Sequence, residues 1–386
     1  MEIEIGRGKK ARRAYGFDDI AIVPSRRTRD AEDVDIAWRL GPHLLELPLL
    51  AAAMDGVVSP ATAVALGKLG GIGVLNLEGI WTRYEDADAE LEKIAGYDKA
   101  EATHAMQKIY SEPVKPELIS QRIKEIKAEG VLAAASLTPQ KVREHWQAAL
   151  DAGLDVLVIQ GTVVSAEHVS TVVEPLNLKE FIASLPVPVI VGGCASYQAA
   201  LHLMRTGAAG VLVGVGPGAA CTTRGVLGVG VPQATAIADA SAARTQHLLE
   251  TGQYVNVIAD GGMRTGGDIS KAIAVGADAV MIGSPLSRAT EAPGRGYHWG
   301  MATFHATLPR GARVKTDQVA SLEQIVVGPA TENDGTLNLM GALRTSMATT
   351  GYDSIQAFQK AEVMFAPALQ TEGKKLQREQ AVGMSR

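Results

Sequence analysis

Short apolar runs alternate with amphipathic stretches along most of the chain. Continuous apolar runs of this length are typical of strands that are buried on both faces of a parallel sheet. Eight runs fit this pattern, at residues 49–54, 72–76, 131–135, 155–160, 187–192, 210–214, 255–260 and 278–283. The stretches between them predict helices at residues 60–69, 116–129, 139–150, 195–205, 234–250 and 268–275. The alternation predicts an α/β fold built from repeated strand–helix units.

A weak internal repeat indicates how these units are arranged. The segments AGLDVLVIQG from Ala152, TGAAGVLVGVG from Thr206 and VGADAVMIGS from Val275 each join a helix-ending glycine to a buried strand. Eight such strands, rich in Val, Ile, Leu and Ala, favour a closed (β/α)8 TIM barrel over an open doubly wound sheet. We predict a single catalytic domain over residues 1–386.

Three segments depart from the repeat. Residues 77–130 are longer than one helix requires and too short for a second domain, so they predict an excursion between the second and third strands. Residues 286–340 are rich in Gly, Pro and Thr and predict a mobile flap with active-site loops. Residues 370–386 are charged and unpatterned, which predicts a mobile tail.

Composition narrows the class of ligand. A net charge of −5 gives no basic surface for nucleic acid or anionic membrane, and no apolar run approaches the eighteen residues of a membrane span. The N-terminus lacks the apolar segment of a signal peptide. The two cysteines, Cys194 and Cys221, are too few for a disulfide framework. These features predict a cytoplasmic protein that acts on a small molecule.

The loop from Gly214 to Arg224 carries the strongest chemical signal. Alternate glycines at 214, 216 and 218 allow the backbone to turn inward around Cys221, and Arg224 with the loop amides would favour the nucleophilic thiolate. The alternative is an inert cysteine in a flexible loop. Cys194 lies at the end of an apolar run without a charged neighbour, so we expect a packed hydrophobic residue there.

The ends of the other strands supply further candidates, because barrel enzymes place their chemistry at this rim. Asp260-Gly261-Gly262 and Gly283-Ser284 end the last two strands, where barrels bind phosphate through loop amides. By itself this pair indicates only a phosphorylated ligand, and Asp260 could instead cap a turn. The eight histidines show no metal-binding spacing, which predicts no transition-metal site.

Four segments together resemble the IMP dehydrogenase/GMP reductase family. They are YGFDDIAIVPS from Tyr15, LLAAAMDGVVSPATAVALGKLGGIGVL from Leu49, GVGPGAACTTRGVLGVGVPQATA from Gly214 and IADGGMRTGGDISKAIAVGADAVMIGS from Ile258. The resemblance implies that Cys221 attacks C2 of the purine ring of a bound nucleotide, with Thr223 and Glu323 handling protons. It also implies a homotetramer or larger assembly, and it makes Asp260 the ligand of the ribose hydroxyls.

The resemblance also assigns binding roles. The substrate-binding set is Met54, Ala219, Asp260, Gly261, Gly262, Gly283, Ser284, His298, Gly300, Met301 and Ala302. The nicotinamide cofactor falls at Gln160, Gly214, Val215 and Gly216, and a potassium ion at the backbone carbonyls of Gly216, Gly218 and Cys221. This chain departs from the family at Ala219 and His298, where many members have a phosphate-binding serine and tyrosine, and at Gln160, where they have an aspartate. Residues 77–130 cannot contain the paired sensor domains that some members carry there.

The choice between the two reactions of this family depends on whether the protein can activate a water molecule to hydrolyse the covalent adduct. Dehydrogenases of the family hydrolyse their covalent adduct with an Arg-Tyr pair on the flap, whereas Arg310 and Arg313 are not followed by tyrosine. This favours GMP reductase, which converts GMP to IMP and ammonia with NADPH. The alternatives are an IMP dehydrogenase that uses NAD and Arg310 or Arg313 alone, an FMN-dependent oxidase barrel, and a non-catalytic purine-nucleotide sensor.

Overall fold

Eight parallel strands form a closed barrel in the computed structural model, which describes residues 2–171, 174–300, 313–366, 374–380 and 382–383. They are β1 (Leu49–Ala51), β2 (Ile72–Asn76), β3 (Ala134–Leu137), β4 (Val156–Gln160), β5 (Val189–Cys194), β6 (Gly210–Val213), β7 (Asn256–Asp260) and β8 (Ala279–Ile282). Each strand pairs with the next along the chain, and Val280 of β8 pairs with Leu49 of β1 to close the ring. The predicted TIM barrel is confirmed.

Helices alternate with the strands. They are α1 (Pro60–Lys68), α2 (Ala87–Gly96), α3 (Lys99–Ile109), α4 (Pro116–Ala128), α5 (Val142–Asp151), α6 (Leu178–Ala183), α7 (Tyr197–Met204), α8 (Thr223–Leu227), α9 (Gln233–Thr251), α10 (Gly266–Ala274), α11 (Leu322–Val326), α12 (Leu339–Thr349), α13 (Ile355–Phe358) and α14 (Lys375–Glu379). Side-chain caps start several of them: Ser59 accepts from the amide of Thr62, and Thr265 from that of Asp268. Among the described helices, none is both long and apolar enough to cross a membrane.

The continuous apolar runs are explained by burial on both faces of the barrel wall. Leu50, Val158 and Ile258 belong to the cluster that fills the barrel interior. Leu49 and Leu157, their sequence neighbours, belong to the larger cluster between the sheet and the helices. Because neighbouring residues of a strand point to opposite faces, both sets must be apolar.

A short hairpin covers the amino-terminal end of the barrel. Strands Trp38–Leu40 and His43–Leu45 pair with each other, and Trp38, Leu40 and Leu45 pack into the interior cluster. The indole nitrogen of Trp38 donates to the carbonyl of Leu47 at 2.8 Å. The carboxyl ends of the strands are therefore where a ligand can enter.

Residues 77–130 contain three helices rather than one. Helix α4 packs against α1 and α5 and takes the position of an ordinary barrel helix. Helices α2 and α3 are additional, and they bury Ile94 and Met106 in the outer core. Buried Arg122 on α4 donates to the backbone carbonyls of Trp81 and Glu85, at 3.1 and 2.7 Å, and so joins α4 to the residues that precede α2.

The described residues of the segment predicted as flap and loops, 286–340, form several short elements. Tyr297–His298 pairs with Val314–Lys315 as a two-stranded antiparallel sheet, followed by α11. Met301, Ala302 and Arg310 lie outside the described residues. Helix α14 lies within residues 370–386, the stretch for which we predicted no regular element.

Candidate active site

A cavity of about 820 Å³ opens at the carboxyl ends of the barrel strands. The loops after β1, β3, β4, β6, β7 and β8 contribute to its wall. It is lined by most of the residues predicted for the site, namely Met54, Gln160, Gly214, Gly216, Gly218, Ala219, Cys221, Asp260, Gly261, Gly262, Gly283, Ser284, His298 and Gly300. Val215 is buried behind the loop and does not line the cavity.

The loop after β6 presents the thiol. Cys221 is exposed, and its Sγ donates to Oγ1 of Thr223 at 3.1 Å. Thr223 is fully buried and begins α8, so it holds the thiol from the protein side and leaves the other side of the sulfur facing the cavity. A thiol held in this way can add to an electrophilic carbon of a bound ligand.

Arg224 determines the shape of this loop. Its Nε donates to the carbonyl of Val215 at 3.2 Å and its Nη2 to that of Val231 at 2.5 Å. A Cβ at Gly216 or at Gly230 would lie 2.6 Å from Cγ of Arg224, so both positions require glycine. The arginine therefore joins the two arms of the loop by hydrogen bonds, and the predicted effect of its charge on the thiol stays a prediction.

Asp260 ends β7, the strand next to the one that carries the Cys221 loop, and it is partly exposed at the cavity. Nε2 of Gln160 donates to its Oδ2 at 3.1 Å. Burial raises the pKa of Asp260 to about 7, and the hydrogen bond from Gln160 opposes that rise. A carboxylate in this state gains from any ligand that brings hydrogen-bond donors, as the two hydroxyls of a ribose would.

The expected phosphate end of the cavity is built from glycines and two hydrogen-bonded side chains. Gly261 and Gly262 have φ of +77° and +79°, which few other residues adopt. Oγ of Ser284 lies 2.8 Å from Nε2 of His298. Burial lowers the pKa of His298 to about 4, so the imidazole is neutral at physiological pH and supplies hydrogen bonds rather than charge.

Comparison with known proteins shows the family to which the chain belongs. The model described as the IMP dehydrogenase / GMP reductase domain matches residues 14–374. The chain belongs to the IMP dehydrogenase/GMP reductase family. It is therefore an oxidoreductase of this family, and the resemblance inferred from the sequence is confirmed.

Individual relatives cover nearly the whole chain. A protein of Mycolicibacterium smegmatis described as an uncharacterized oxidoreductase is 47% identical over 367 residues, which span 93% of this chain and 98% of that protein. The inosine-5′-monophosphate dehydrogenase of Cryptosporidium parvum is 30% identical, with 89% and 90% covered. A crystal structure of an IMP dehydrogenase/GMP reductase-like protein from Corynebacterium glutamicum superposes with a TM-score of 0.90 at 46% identity, covering 94% of this chain and 97% of that one.

The structure does not bring Glu323 to the thiol. Glu323 is exposed in the first turn of α11 and is not among the residues that line the cavity. An acidic side chain there stabilises the positive end of a helix, which is an ordinary structural role. Of the predicted proton-handling pair, only Thr223 lies beside Cys221. Met301 and Ala302, predicted to contact the purine, lie outside the described residues.

Several residues that line the cavity were not predicted from the sequence. Thr138, Pro139 and Gln140 follow β3, which ends two residues later than we predicted, so the rim of that strand was assigned to a helix. Arg264 also lines the cavity. Its position shortly after the Asp260-Gly261-Gly262 turn was the available signal, and together with Arg224 it supplies the cationic side chains of the described cavity wall.

Proposed function

We propose that this protein oxidises IMP to XMP with NAD, through a covalent adduct between Cys221 and C2 of the purine. The single observation that carries the proposal is the exposed thiol of Cys221, which is hydrogen-bonded to buried Thr223 and shares one cavity with Asp260 and the glycine turns of the last two strands. This arrangement suits a nucleoside monophosphate whose base reaches the thiol while its ribose meets Asp260 and its phosphate meets the Gly262 and Ser284 turns.

In the proposed mechanism, Sγ of Cys221 adds to C2 after its proton has left, and a hydride leaves C2. The nicotinamide cofactor, when bound, supplies the hydride acceptor. Water then attacks C2 and breaks the carbon–sulfur bond, so that IMP, NAD⁺ and water give XMP, NADH and a proton. Thr223 orients the sulfur in the first step and hydrogen-bonds the attacking water in the second.

The residues on the cofactor side fit such a group. Oε1 of Gln160 is buried at the cavity and has no hydrogen-bond partner among the described residues. It is an acceptor suited to the amide hydrogens of a nicotinamide. Its Nε2 remains on Asp260, so in this proposal Gln160 contacts the cofactor directly and the nucleotide only through Asp260.

The direction of the reaction is proposed from two observations. Proton transfer in GMP reduction was expected to use Thr223 together with Glu323, and the exposed position of Glu323 on α11 does not support that pair. Because Arg313 donates to the carbonyl of Tyr97 at 2.6 Å, the proposed oxidation leaves water activation to Arg310. The relative from Cryptosporidium parvum is described as an inosine-5′-monophosphate dehydrogenase, which supports oxidation.

Reduction of GMP by NADPH, which yields IMP and ammonia, stays the second candidate, because no tyrosine follows Arg310 or Arg313. A potassium ion at the carbonyls of Gly216, Gly218 and Cys221, a homotetramer and a cytoplasmic location complete the proposal. The carbonyl of Gly218 already accepts a hydrogen bond from the amide of Cys221 at 3.1 Å, so the ion would share that oxygen.

One assay distinguishes the candidates. Absorbance of the reduced nicotinamide is followed with IMP plus NAD and with GMP plus NADPH, at equal enzyme and with potassium, sodium or lithium as the cation. We expect NADH to form from IMP. Consumption of NADPH with GMP alone would reverse the assigned direction, flavin absorbance in the purified protein would indicate the oxidase alternative, and tight nucleotide binding without turnover would indicate a sensor.

A further inference from the structure

The cavity wall at His298 belongs to a small antiparallel sheet. Tyr297 pairs with Lys315 and His298 with Val314, and we call this four-residue element the hairpin base. His298 bonds to Ser284, and Gly300 lines the cavity two residues further on. The position of the hairpin base therefore sets the position of one wall of the nucleotide cavity.

A chain of hydrogen bonds joins the first strand of the hairpin base to the excursion. The indole Nε1 of Trp299 donates to the hydroxyl oxygen of Tyr110 at 2.6 Å, and the Tyr110 hydroxyl donates to Oδ2 of Asp55. The amide of Ile80 donates to the same carboxylate oxygen at 3.1 Å. Trp299 and Asp55 are each 1% exposed. Tyr110 follows directly after α3, so the chain connects an excursion helix, the loop after β1 and the cavity wall.

The second strand of the hairpin base also contacts the excursion. Arg313, next to Val314, donates to the carbonyls of Ile94 and Tyr97 at the end of α2, the latter at 2.6 Å. A cation at the carboxyl end of a helix is electrostatically favoured. The guanidinium of Arg313 also lies 4.2 Å from the centre of the Tyr297 ring. Both strands of the hairpin base are thus attached to residues 77–130.

The loop after β1 fits closely against the same element. A Cβ at Gly56 would lie 2.8 Å from the carbonyl oxygen of Tyr297 and 3.2 Å from the Trp299 ring. The amide of Gly294 donates to the carbonyl of Gly56 at 3.0 Å. Asp55, immediately before Gly56, is thus held where its carboxylate can receive the Tyr110 hydroxyl.

Burying a carboxylate in such a chain of hydrogen bonds costs desolvation free energy, which apolar side chains of similar volume would avoid. Hydrogen bonds are directional, however, so they fix the relative orientation of the indole, the phenol and the carboxylate. The chemistry of the cavity itself does not involve Asp55 or Tyr110, because neither lines it.

We infer that the excursion at residues 77–130 holds the nucleotide-binding wall in place, and that Tyr110 is the positioning residue that transmits this support from Asp55 through Trp299 to His298 and Gly300. The inference rests on the proposed function only in taking a purine nucleotide as the ligand. It gives α2 and α3 a role in substrate binding without contact to the substrate.

The test is Tyr110→Phe in the full-length protein, with Tyr84→Phe as the matched control. Tyr84 lies in the same excursion, and its hydroxyl donates to the carbonyl of Ile109 at 2.9 Å, so its loss removes one hydrogen bond without contact to the hairpin base. Binding of IMP is measured by calorimetry without cofactor, and amide hydrogen exchange is followed at residues 297–298 and 314–315.

We expect Tyr110→Phe to weaken IMP binding roughly tenfold, the size of one to two hydrogen bonds, to raise KM by a similar factor with kcat little changed, and to speed exchange at the hairpin base. Tyr84→Phe should change neither. Trp299→Phe removes the other end of the same bond, so it should reproduce the effect, and the double variant should add little more. Trp299→Phe also tests the inference if Tyr110→Phe does not fold.

Equal exchange at the hairpin base in Tyr110→Phe and Tyr84→Phe would overturn the inference. So would wild-type affinity in a folded Tyr110→Phe protein, or a double variant that loses the sum of the single effects. If the wild-type protein binds neither IMP nor GMP, the proposed function fails, and the exchange measurement still decides the inference because it requires no ligand.

Discussion

Two aspartates at opposite ends of neighbouring barrel strands have very different surroundings. Asp278 lies just before β8, at the amino-terminal end of the barrel that the hairpin covers. Its carboxylate accepts hydrogen bonds from Nη1 of Arg244 at 2.7 Å, the amide of Val257 at 2.7 Å and Nε2 of Gln359 at 2.9 Å. Asp260 is the last residue of β7, at the carboxyl end of the barrel where the cavity opens, and Gln160 donates a hydrogen bond to its side chain. Asp278 is buried and Asp260 is partly exposed, and among the described residues the carboxylate of Asp278 has the more complete set of hydrogen-bond donors.

The two cysteines repeat this contrast. Cys194 is buried at the end of β5, and burial raises the pKa of its thiol to about 12. Cys221 is exposed at the cavity and bonded to Thr223. At each pair of positions, the residue that the fold itself satisfies is structural. The residue that keeps free hydrogen-bonding or nucleophilic atoms faces the cavity, where a ligand can contact those atoms.

The largest expected effect separates the two cysteines. Cys221→Ser replaces the thiol by a far weaker nucleophile, so turnover should fall by about 10³-fold or more while nucleotide binding persists. Steady-state rates and calorimetric binding of IMP measure the two quantities. Cys194→Ala is the matched control: it should lower the melting temperature and leave the rate per folded molecule unchanged. Retention of wild-type turnover in Cys221→Ser would remove the proposed mechanism.

The two aspartates should differ in which property they lose. Asp278→Asn leaves the Arg244 guanidinium buried without its counter-charge, and it should lower the free energy of unfolding by about 3–5 kcal/mol. Asp260→Asn should weaken IMP binding by about 10- to 100-fold, because hydrogen bonds to a charged group contribute roughly 1.5–3 kcal/mol. Denaturant unfolding and calorimetry on both variants measure this. A larger stability loss for Asp260→Asn than for Asp278→Asn would contradict the division into structural and ligand-facing ends.

The smallest effect is a pH dependence. Because the pKa of Asp260 is raised to about 7, the folded protein binds more protons than the unfolded chain between roughly pH 4 and 7. The contribution of Asp260 to stability therefore falls as pH rises through that window. Ribose hydroxyls favour the charged form, so affinity for IMP should rise, within about tenfold, from pH 6 to pH 8.

Asp260→Asn serves as the control for this dependence. Affinity for IMP also depends on pH through the nucleotide phosphate, whose second pKa is near 6. The Asp260→Asn variant should keep that dependence and lose the part that comes from Asp260. Its melting temperature relative to the wild type should be higher at pH 8 than at pH 5. Because the comparison is between variants, the opposing titration of His298, whose pKa is lowered to about 4, cancels. Parallel affinity profiles for the two proteins would show that Asp260 does not titrate in this range.

The amino-acid sequence by itself determined the barrel, its strand order and the loop that carries Cys221. Apolar runs report burial on both faces of a strand, and glycines at fixed spacing report a backbone that must turn tightly, so both are local signals. The glycine-containing turns after β7 and β8 were predictable for the same reason. Where the local signal was ambiguous, as at the end of β3, the prediction missed Thr138–Gln140.

Only the tertiary structure decided which polar residues act together. Glu323 and Asp55 are equally plausible as isolated acids in the sequence, yet one is exposed on α11 and the other is buried beneath the hairpin base. The chain from Trp299 to Tyr110 spans 189 positions, and the bond from Gln160 to Asp260 spans 100. Contacts over such separations depend on how strands and loops close around the barrel axis, and no periodicity or spacing along the chain records that geometry.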